Sequence, residues 1–262
     1  MSTLTISKIK AFKACRRKYE LKYIEKLEPI EKPTALEIGT NYHELLEFLN
    51  KGGDIAGNPD FAGIYTKELA MARAYEVFIQ PHFKCESVEK WVEHVFPDGS
   101  KIIGRVDGIA TDGCLVEHKS CGSDITEAYE YNLLWDEQIL AYMLMTGTRK
   151  VHYTVCRKPT IRQKQNETDE AFFYRMLTWY ETDTDSKIRL FDVERTDEEV
   201  EAFRKELEEI KDIISEAEIN KRFYRNNCHC NAWGRRCEYS SICLNYNPFD
   251  PSQEYIEFVK AQ

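Results

Sequence analysis

Apolar positions recur with two different periods along this 262-residue chain, and the places where the period changes divide it into elements. Residues 4 to 26 read as an amphipathic helix entered through Ser7, with Ile9, Phe12, Tyr19 and Tyr23 near helical spacing and lysines or arginines between them. After Pro33, Thr40 stands where an N-cap belongs, ahead of a helix holding His43, Leu45, Leu46 and Leu49. Residues 51–63, with four glycines, a proline and an asparagine, read as a loop. Residues 64–80 return to helical spacing through Leu69, Tyr75 and Phe78.

From Val88 the period falls to two. Residues 88–96 and 101–109 are joined by Pro97-Asp98-Gly99, and Thr111-Asp112-Gly113 marks a second tight turn, so three antiparallel strands form a meander ending in the strand of Glu117. Alternation on that last strand sends Glu117 and Lys119 to one face and Val116 and His118 to the other, with Asp107 on the strand before. Two carboxylates and one ammonium are thereby aimed at one point. Such a cluster can hold a hard divalent cation on oxygen ligands and place a lysine beside a metal-bound water. An acid-x-Lys strand after a turn also occurs on solvated hairpin faces, so the hairpin alone is a weak signal.

Beyond the meander, residues 127–147 predict the strongest helix of the chain, carrying Leu133, Leu134, Ile139, Leu140, Met143 and Leu144 and stopping at Gly147. Gln138 and Tyr142, four apart, share one of its faces. In residues 150–157 Val151, Tyr153 and Val155 alternate with His152, Thr154 and Cys156, a strand that extends the sheet after a helical crossover. A basic loop at 160–166, a helix at 167–182 and a short strand at 187–194 follow. Thr196 and Glu199 form a capping box for a long acidic helix with a buried stripe of Val200, Phe203, Leu207, Ile210 and Ile214.

Composition adds bounds to this outline. With 42% apolar and 31% charged residues, the chain reads as a globular protein with one core, a single domain over 1–262. No apolar run reaches membrane-spanning length and the N-terminus is too polar for a secretory signal, so a cytoplasmic protein with no membrane partner is expected. A net charge of −9 argues against binding nucleic acid by bulk electrostatics. The distribution softens that objection: residues 194–218 hold eleven acids against four bases, whereas residues 1–26 hold eight bases against two acids. The acidic run is a solvated helix face.

Nine cysteines make an odd number for a disulfide framework. Cys228, Cys230, Cys237 and Cys243, with His229 among them, crowd together in spacing that signals a metal, because thiolates bind soft or borderline ions. Cys15 by itself reads as a small buried hydrophobe. Cys85, Cys114, Cys121 and Cys156 have no such grouping and read as structural.

The segment Gly104-Arg-Val-Asp107 with Glu117-His-Lys119-Ser resembles the PD-(D/E)XK nuclease superfamily, in particular its RecB-like branch, which also holds CRISPR-adaptation nucleases and phage exonucleases. Four further motifs follow the family in order: Ser7 to Cys15, Gly39 to His43, Gln138 to Tyr142, and Cys230-x6-Cys237-x5-Cys243 enclosing Trp233-Gly234-Arg235. The resemblance implies an α/β fold, a central mixed sheet flanked by helices, with the termini (1–30 and 221–247) joined at a 4Fe-4S cluster held by Cys15, Cys230, Cys237 and Cys243. Cys228 departs from the family pattern, and it or His229 could replace Cys230. By the same resemblance Asp107, Glu117, the His118 backbone carbonyl and His43 hold Mg²⁺ or Mn²⁺, Lys119 serves catalysis, and Gln138 and Tyr142 contact the substrate strand. The implied function is metal-dependent cleavage of DNA, as an exonuclease on single strands or duplex ends, in recombination, replication, repair or CRISPR adaptation with the proteins of those pathways. Two alternatives share the architecture: a non-catalytic DNA-binding or scaffolding module, and a protein whose termini are clasped by zinc.

Overall fold

A computed structural model of the chain describes residues 3–30, 34–232, 236–244 and 258–260. Its strands are, in chain order, β1 (Thr3–Thr5), β2 (Leu27–Pro29), β3 (Cys85–Val95), β4 (Lys101–Ala110), β5 (Leu115–Cys121), β6 (Lys150–Arg157), β7 (Ile188–Glu194) and β8 (Phe258–Lys260). The helices are α1 (Ile6–Ala14), α2 (Arg16–Tyr19), α3 (Thr34–Asn50), α4 (Lys67–Phe78), α5 (Glu127–Leu133), α6 (Glu137–Thr146), α7 (Asp169–Glu181), α8 (Asp197–Asn220) and α9 (Ser240–Cys243). Two compact units divide the chain. One comprises Thr34–His94 and Ile103–Arg204; the other comprises Met1–Pro33, Val95–Ile102 and Lys205–Gln262.

The first of these units is built on a mixed sheet. β3 pairs with β4, and β4 meets β5 antiparallel with Gly108 opposite Val116 and Ile109 opposite Leu115. β5 runs parallel to β6, Glu117 opposite Tyr153 and Lys119 opposite Val155, and β6 is antiparallel to β7. A parallel pair needs a crossover, which α5 and α6 supply. Both faces are covered. Leu46, Leu49, Met71, Tyr75, Met176 and Tyr180 form one core with Val116 and Cys156, while Val106, Ile139, Met143 and Phe191 form another with Leu115, Val151 and Val155. At about 1.5–3 kcal/mol for each fully buried large apolar side chain, these layers dominate the stability of the unit. They also explain why Leu115, Val116, Glu117 and His118 are all buried.

Several element boundaries differ from the sequence expectations. Thr5, not Ser7, is the N-cap of α1, its side chain accepting from Lys8 N. The expected helix over 4–26 breaks at Cys15, whose φ of −164° is extended, and resumes as α2 and a π-turn over Glu20–Ile24. Thr40 lies inside α3 and caps nothing; its hydroxyl donates back to Leu36 O at 3.2 Å. Asp136 divides the helix expected over 127–147, because its carboxylate accepts from Gln138 N and starts α6 afresh. Gly147 ends α6 in the left-handed region at φ 78°, as glycine permits. Thr196 and Glu199 do form the reciprocal capping box of α8, at 2.8 and 3.2 Å.

In the second unit, Tyr19 is buried edge-on against Phe12 and donates its hydroxyl to Glu218 at 2.6 Å. Tyr239 donates to Leu27 O at 2.8 Å, and β2 pairs with β8. Lys211, on the acidic α8, is 8% exposed and pairs with Asp98 beneath the Phe96 ring. The solvated-face reading of that helix therefore holds for most of its acids, but not for Glu218, which accepts the Tyr19 hydroxyl, nor for this lysine.

Candidate active site

Four elements of the sheet unit bring the candidate residues together. Asp107 lies on β4, Glu117 and Lys119 on β5, His43 on α3, and Gln138 and Tyr142 on α6. Asp107 Oδ2 accepts the backbone N–H of His118 at 2.7 Å and lies 3.7 Å from His43 Nδ1. Burial works against charge on Asp107, but His43 and His118 outweigh it and bring its pKa down to about 2. Burial likewise opposes a charged His43, yet the hydrogen bond and charge of Asp107 prevail and its pKa rises.

Glu117 is 2% exposed. Its Oε1 meets Lys119 Nζ, whereas its Oε2 is buried without a hydrogen-bond partner among the described residues. Burial, with Asp107 adding to it against the pull of Lys119, pushes the Glu117 carboxyl up to about 7. Lys119 pays a burial penalty of its own, but Glu117, Asp136 and Asp107 hold it protonated. Its Nζ also donates to Gln138 Oε1 at 3.0 Å, Gln138 Nε2 donates to Tyr142 OH at 3.0 Å, and Tyr142 OH donates to Arg105 O at 2.9 Å. The residue at 104 must be small for this relay to form. A Cβ on Gly104 would fall 2.6 Å from the Tyr142 ring.

The side chain of His118 is turned to a different task. It is 2% exposed, and burial lowers its pKa to about 4, so the ring is neutral. Asn50 Nδ2 donates to its Nε2 at 3.0 Å, its Nδ1 lies 2.6 Å from Thr154 Oγ1, and Tyr75 OH donates to Asn50 Oδ1 at 2.9 Å. This network ties α3 and α4 to β5 and β6, and only the peptide of His118 faces Asp107.

A cleft of about 480 Å³ adjoins the site, lined by His43, Glu47, Glu89, Arg105, Ser120 and Lys158 among others. Glu89 and Arg105, which pair at 2.5 Å, escaped the sequence reading. Glu89 has φ 55°, so the left-handed residue interrupts the alternation of β3, and no sequence pattern marks where a non-glycine does this. Burial, with Asp107 adding to it, raises the Glu89 pKa.

Cys15, Cys228, Cys230, Cys237 and Cys243 lie in the other unit. Asn226 N donates to Cys15 Sγ at 3.3 Å, Asn226 Nδ2 donates to Ala14 O at 2.9 Å, and Cys230 Sγ donates to Asn226 O at 3.7 Å. Cys237 N donates to Cys230 O at 2.9 Å, and burial raises the pKa of both Cys237 and Cys243. Cys228 is exposed and its N–H is taken by the Asn226 side chain. Trp233-Gly234-Arg235 and residues 245–247 fall outside the described residues.

A family model of the PD-(D/E)XK nuclease superfamily matches residues 3–244. The chain belongs to this superfamily, and its class is that of a nuclease. Among solved structures it resembles an exonuclease candidate from Eubacterium rectale, with 14% identity, a TM-score of 0.55 and coverage of 96% of this chain and 91% of that one. At that identity the likeness concerns the fold, an α/β arrangement with a mixed sheet flanked by helices. No curated protein matches the chain. No described helix is long and apolar enough to cross a membrane.

Proposed function

We propose that this protein is a divalent-metal-dependent deoxyribonuclease acting as an exonuclease on single-stranded DNA or duplex ends. One observation carries the reading: a buried carboxylate, Glu117, with an oxygen that has no hydrogen-bond partner among the described residues, is paired with Lys119 and stands one strand from the half-buried Asp107. An unsatisfied buried carboxylate oxygen is costly unless something takes its lone pairs. A set of two carboxylates, a peptide carbonyl and an imidazole suits Mg²⁺ or Mn²⁺. Asp107, Glu117, the His118 carbonyl and His43 would hold the cation, which supplies Lewis acidity and a bound water of lowered pKa.

The chain's own groups do the remaining work. Lys119, held protonated by the surrounding carboxylates, orients the attacking water and offsets charge that develops on the phosphate in the transition state. Gln138 fixes Lys119 Nζ, and Tyr142 fixes Gln138. A neutral His118 ring anchored by Thr154 and Asn50 keeps the β5 peptide in place beneath Asp107. Cys15, Cys230, Cys237 and Cys243 are proposed to hold a 4Fe-4S cluster. Asn226 supports Cys230 over Cys228 as the fourth ligand, since it touches the sulfurs of both Cys15 and Cys230. Digestion of end-labelled single-stranded DNA tests the proposal: Mg²⁺ or Mn²⁺ should support stepwise shortening from an end and EDTA should stop it. DNA binding with no metal-dependent cleavage would favour a non-catalytic module instead.

A further inference from the structure

At the turn end of the β4–β5 hairpin, three side chains that the sequence leaves unconnected come together. Asp112 and Cys114 belong to the turn and its exit, and His152 is on β6, opposite Val116 in the parallel register. One carboxylate oxygen of Asp112, Cys114 Sγ and a ring nitrogen of His152 all lie within 4.8 Å of one another. Cys114, which has no cysteine partner in sequence, thus acquires an oxygen and a nitrogen partner from the fold. The group stands three residues before Glu117, about 10 Å away along an extended strand. It is distinct from the candidate active site.

From these observations we infer that Asp112, Cys114 and His152 form a binding site for a borderline divalent cation, with Zn²⁺ the best match to one oxygen, one sulfur and one nitrogen donor. The environment prepares each donor. Asp192 Oδ1 lies 2.6 Å from His152 Nδ1, across the β6–β7 pair in which His152 faces Asp192. A carboxylate on one ring nitrogen fixes the tautomer that leaves the other nitrogen's lone pair for a metal. That other nitrogen, Nε2, points to Asp112 Oδ2 at 2.9 Å. Phe83 stacks flat on the imidazole, 4.9 Å between centroids and 10° between planes, so the ring cannot swing away freely. Asp112 is held as well: its Oδ1 accepts the Cys114 N–H at 3.0 Å, and Thr148 ties the turn by donating to Gly113 O.

Without a cation, Asp112 Oδ2 meets the imidazole Nε2. A divalent ion placed among the three donors replaces that contact and takes up the thiolate charge, releasing to solvent both the thiol proton and the proton shared by Nε2 and Asp112. Asp112 is exposed, so the remaining coordination position faces water. The ion would clasp the hairpin that carries Asp107 and Glu117 to its neighbouring strand.

Site-resolved alkylation of the full chain tests this independently of nuclease activity and of the other cysteines. N-ethylmaleimide labelling, read peptide by peptide by mass spectrometry with and without Zn²⁺ alone, should show Cys114 protected by about tenfold or more, in line with the affinity that an ordered imidazole ligand contributes. Cys85 and Cys121 serve as internal controls and should be unaffected. His152→Gln and Asp112→Asn should each abolish the protection, and Asp192→Asn should weaken it. Unchanged Cys85 and Cys121 labelling in at least one of the two ligand variants establishes that the fold survives. Equal Cys114 labelling with and without Zn²⁺ in the natural chain, or protection that persists in His152→Gln and Asp112→Asn, would overturn the inference.

Discussion

The Asp107 carboxylate accepts the backbone N–H of His118 at 2.7 Å, so the acid of one strand grips the peptide that lies between the acid and the lysine of the next. The bond does two things at once. It stabilises the hairpin, and it ties Asp107 to the strand that carries Glu117 and Lys119.

Substitutions at Asp107 should separate those roles. Asp107→Asn keeps an acceptor for the His118 N–H and should fold normally while losing metal-dependent cleavage. Asp107→Ala orphans that N–H and should also lose about 1–3 kcal/mol of stability. Urea unfolding of the two variants, with equal slopes, measures the difference; equal stabilities would mean that the bond contributes nothing to the hairpin.

The titration of the site gives a second expectation. The folded pKa of Glu117 is raised from 4.5 to about 7 by burial, so its contribution to stability is fully present below about pH 4.5 and is lost as pH rises through about 7. Asp107 has the opposite sign: its pKa falls from 3.8 to about 2, so its contribution is present above about 3.8 and lost as pH falls through 2. Cation binding must displace the Glu117 proton, and the raised His43 pKa adds a second proton to displace. Mn²⁺ affinity by calorimetry should therefore rise between about pH 6 and 8 and flatten above that range. Glu117→Gln should lower the affinity and reduce this slope, and an unchanged slope would count against Glu117 as a ligand.

Along α6, the Lys119–Gln138–Tyr142–Arg105 relay predicts a graded series. Gln138→Ala should reduce the cleavage rate by about 10- to 100-fold through a misplaced lysine, with Mn²⁺ affinity close to that of the natural chain. Tyr142→Phe removes only the hydroxyl and should act in the same direction more weakly. Tyr142→Ala opens a cavity in a side chain that is 8% exposed and should cost about 3–5 kcal/mol of stability. If Tyr142→Phe leaves the rate untouched, Tyr142 serves the core and not the site.

Much of this arrangement is legible in the sequence, and the remainder is missing for definable reasons. The meander, the parallel strand beyond it and the capping box of α8 follow from period and turn chemistry alone. Alternation placed Glu117 and Lys119 on one face, but burial of that face depends on Ile139, Met143 and Phe191, which arrive from later elements. The orphaned Oε2 of Glu117 could not be foreseen for that reason. Thr40 satisfied the composition of an N-cap and sits in mid-helix, since propensity at one position yields to the packing of Tyr42, Leu46 and Leu49. The Asp112, Cys114 and His152 group is invisible in sequence because it depends on the register between β5 and β6.

The cysteines offer a colour test. Cys15→Ser, Cys237→Ser and Cys243→Ser should each bleach anaerobically purified protein, lower its melting temperature and loosen both termini to protease, because one cluster would close a loop over most of the chain. Cys85→Ser and Cys156→Ser should stay coloured. Cys230→Ser should bleach and Cys228→Ser should not, following the contacts of Asn226. Full iron and sulfide content in Cys15→Ser would remove the N-terminal cysteine from the ligand set, and a colourless natural protein containing zinc would replace the cluster with a zinc clasp.

The central claim is that Asp107, Glu117 and Lys119 form a metal-dependent nuclease centre, and Glu117→Gln tests it most directly because glutamine keeps the shape of the buried side chain without its charge. End-labelled single-stranded DNA should be shortened by the natural chain in Mg²⁺ or Mn²⁺. The folded Glu117→Gln variant, with unchanged circular dichroism and cluster colour, should leave it intact. Substantial cleavage by a verified Glu117→Gln preparation would contradict the account.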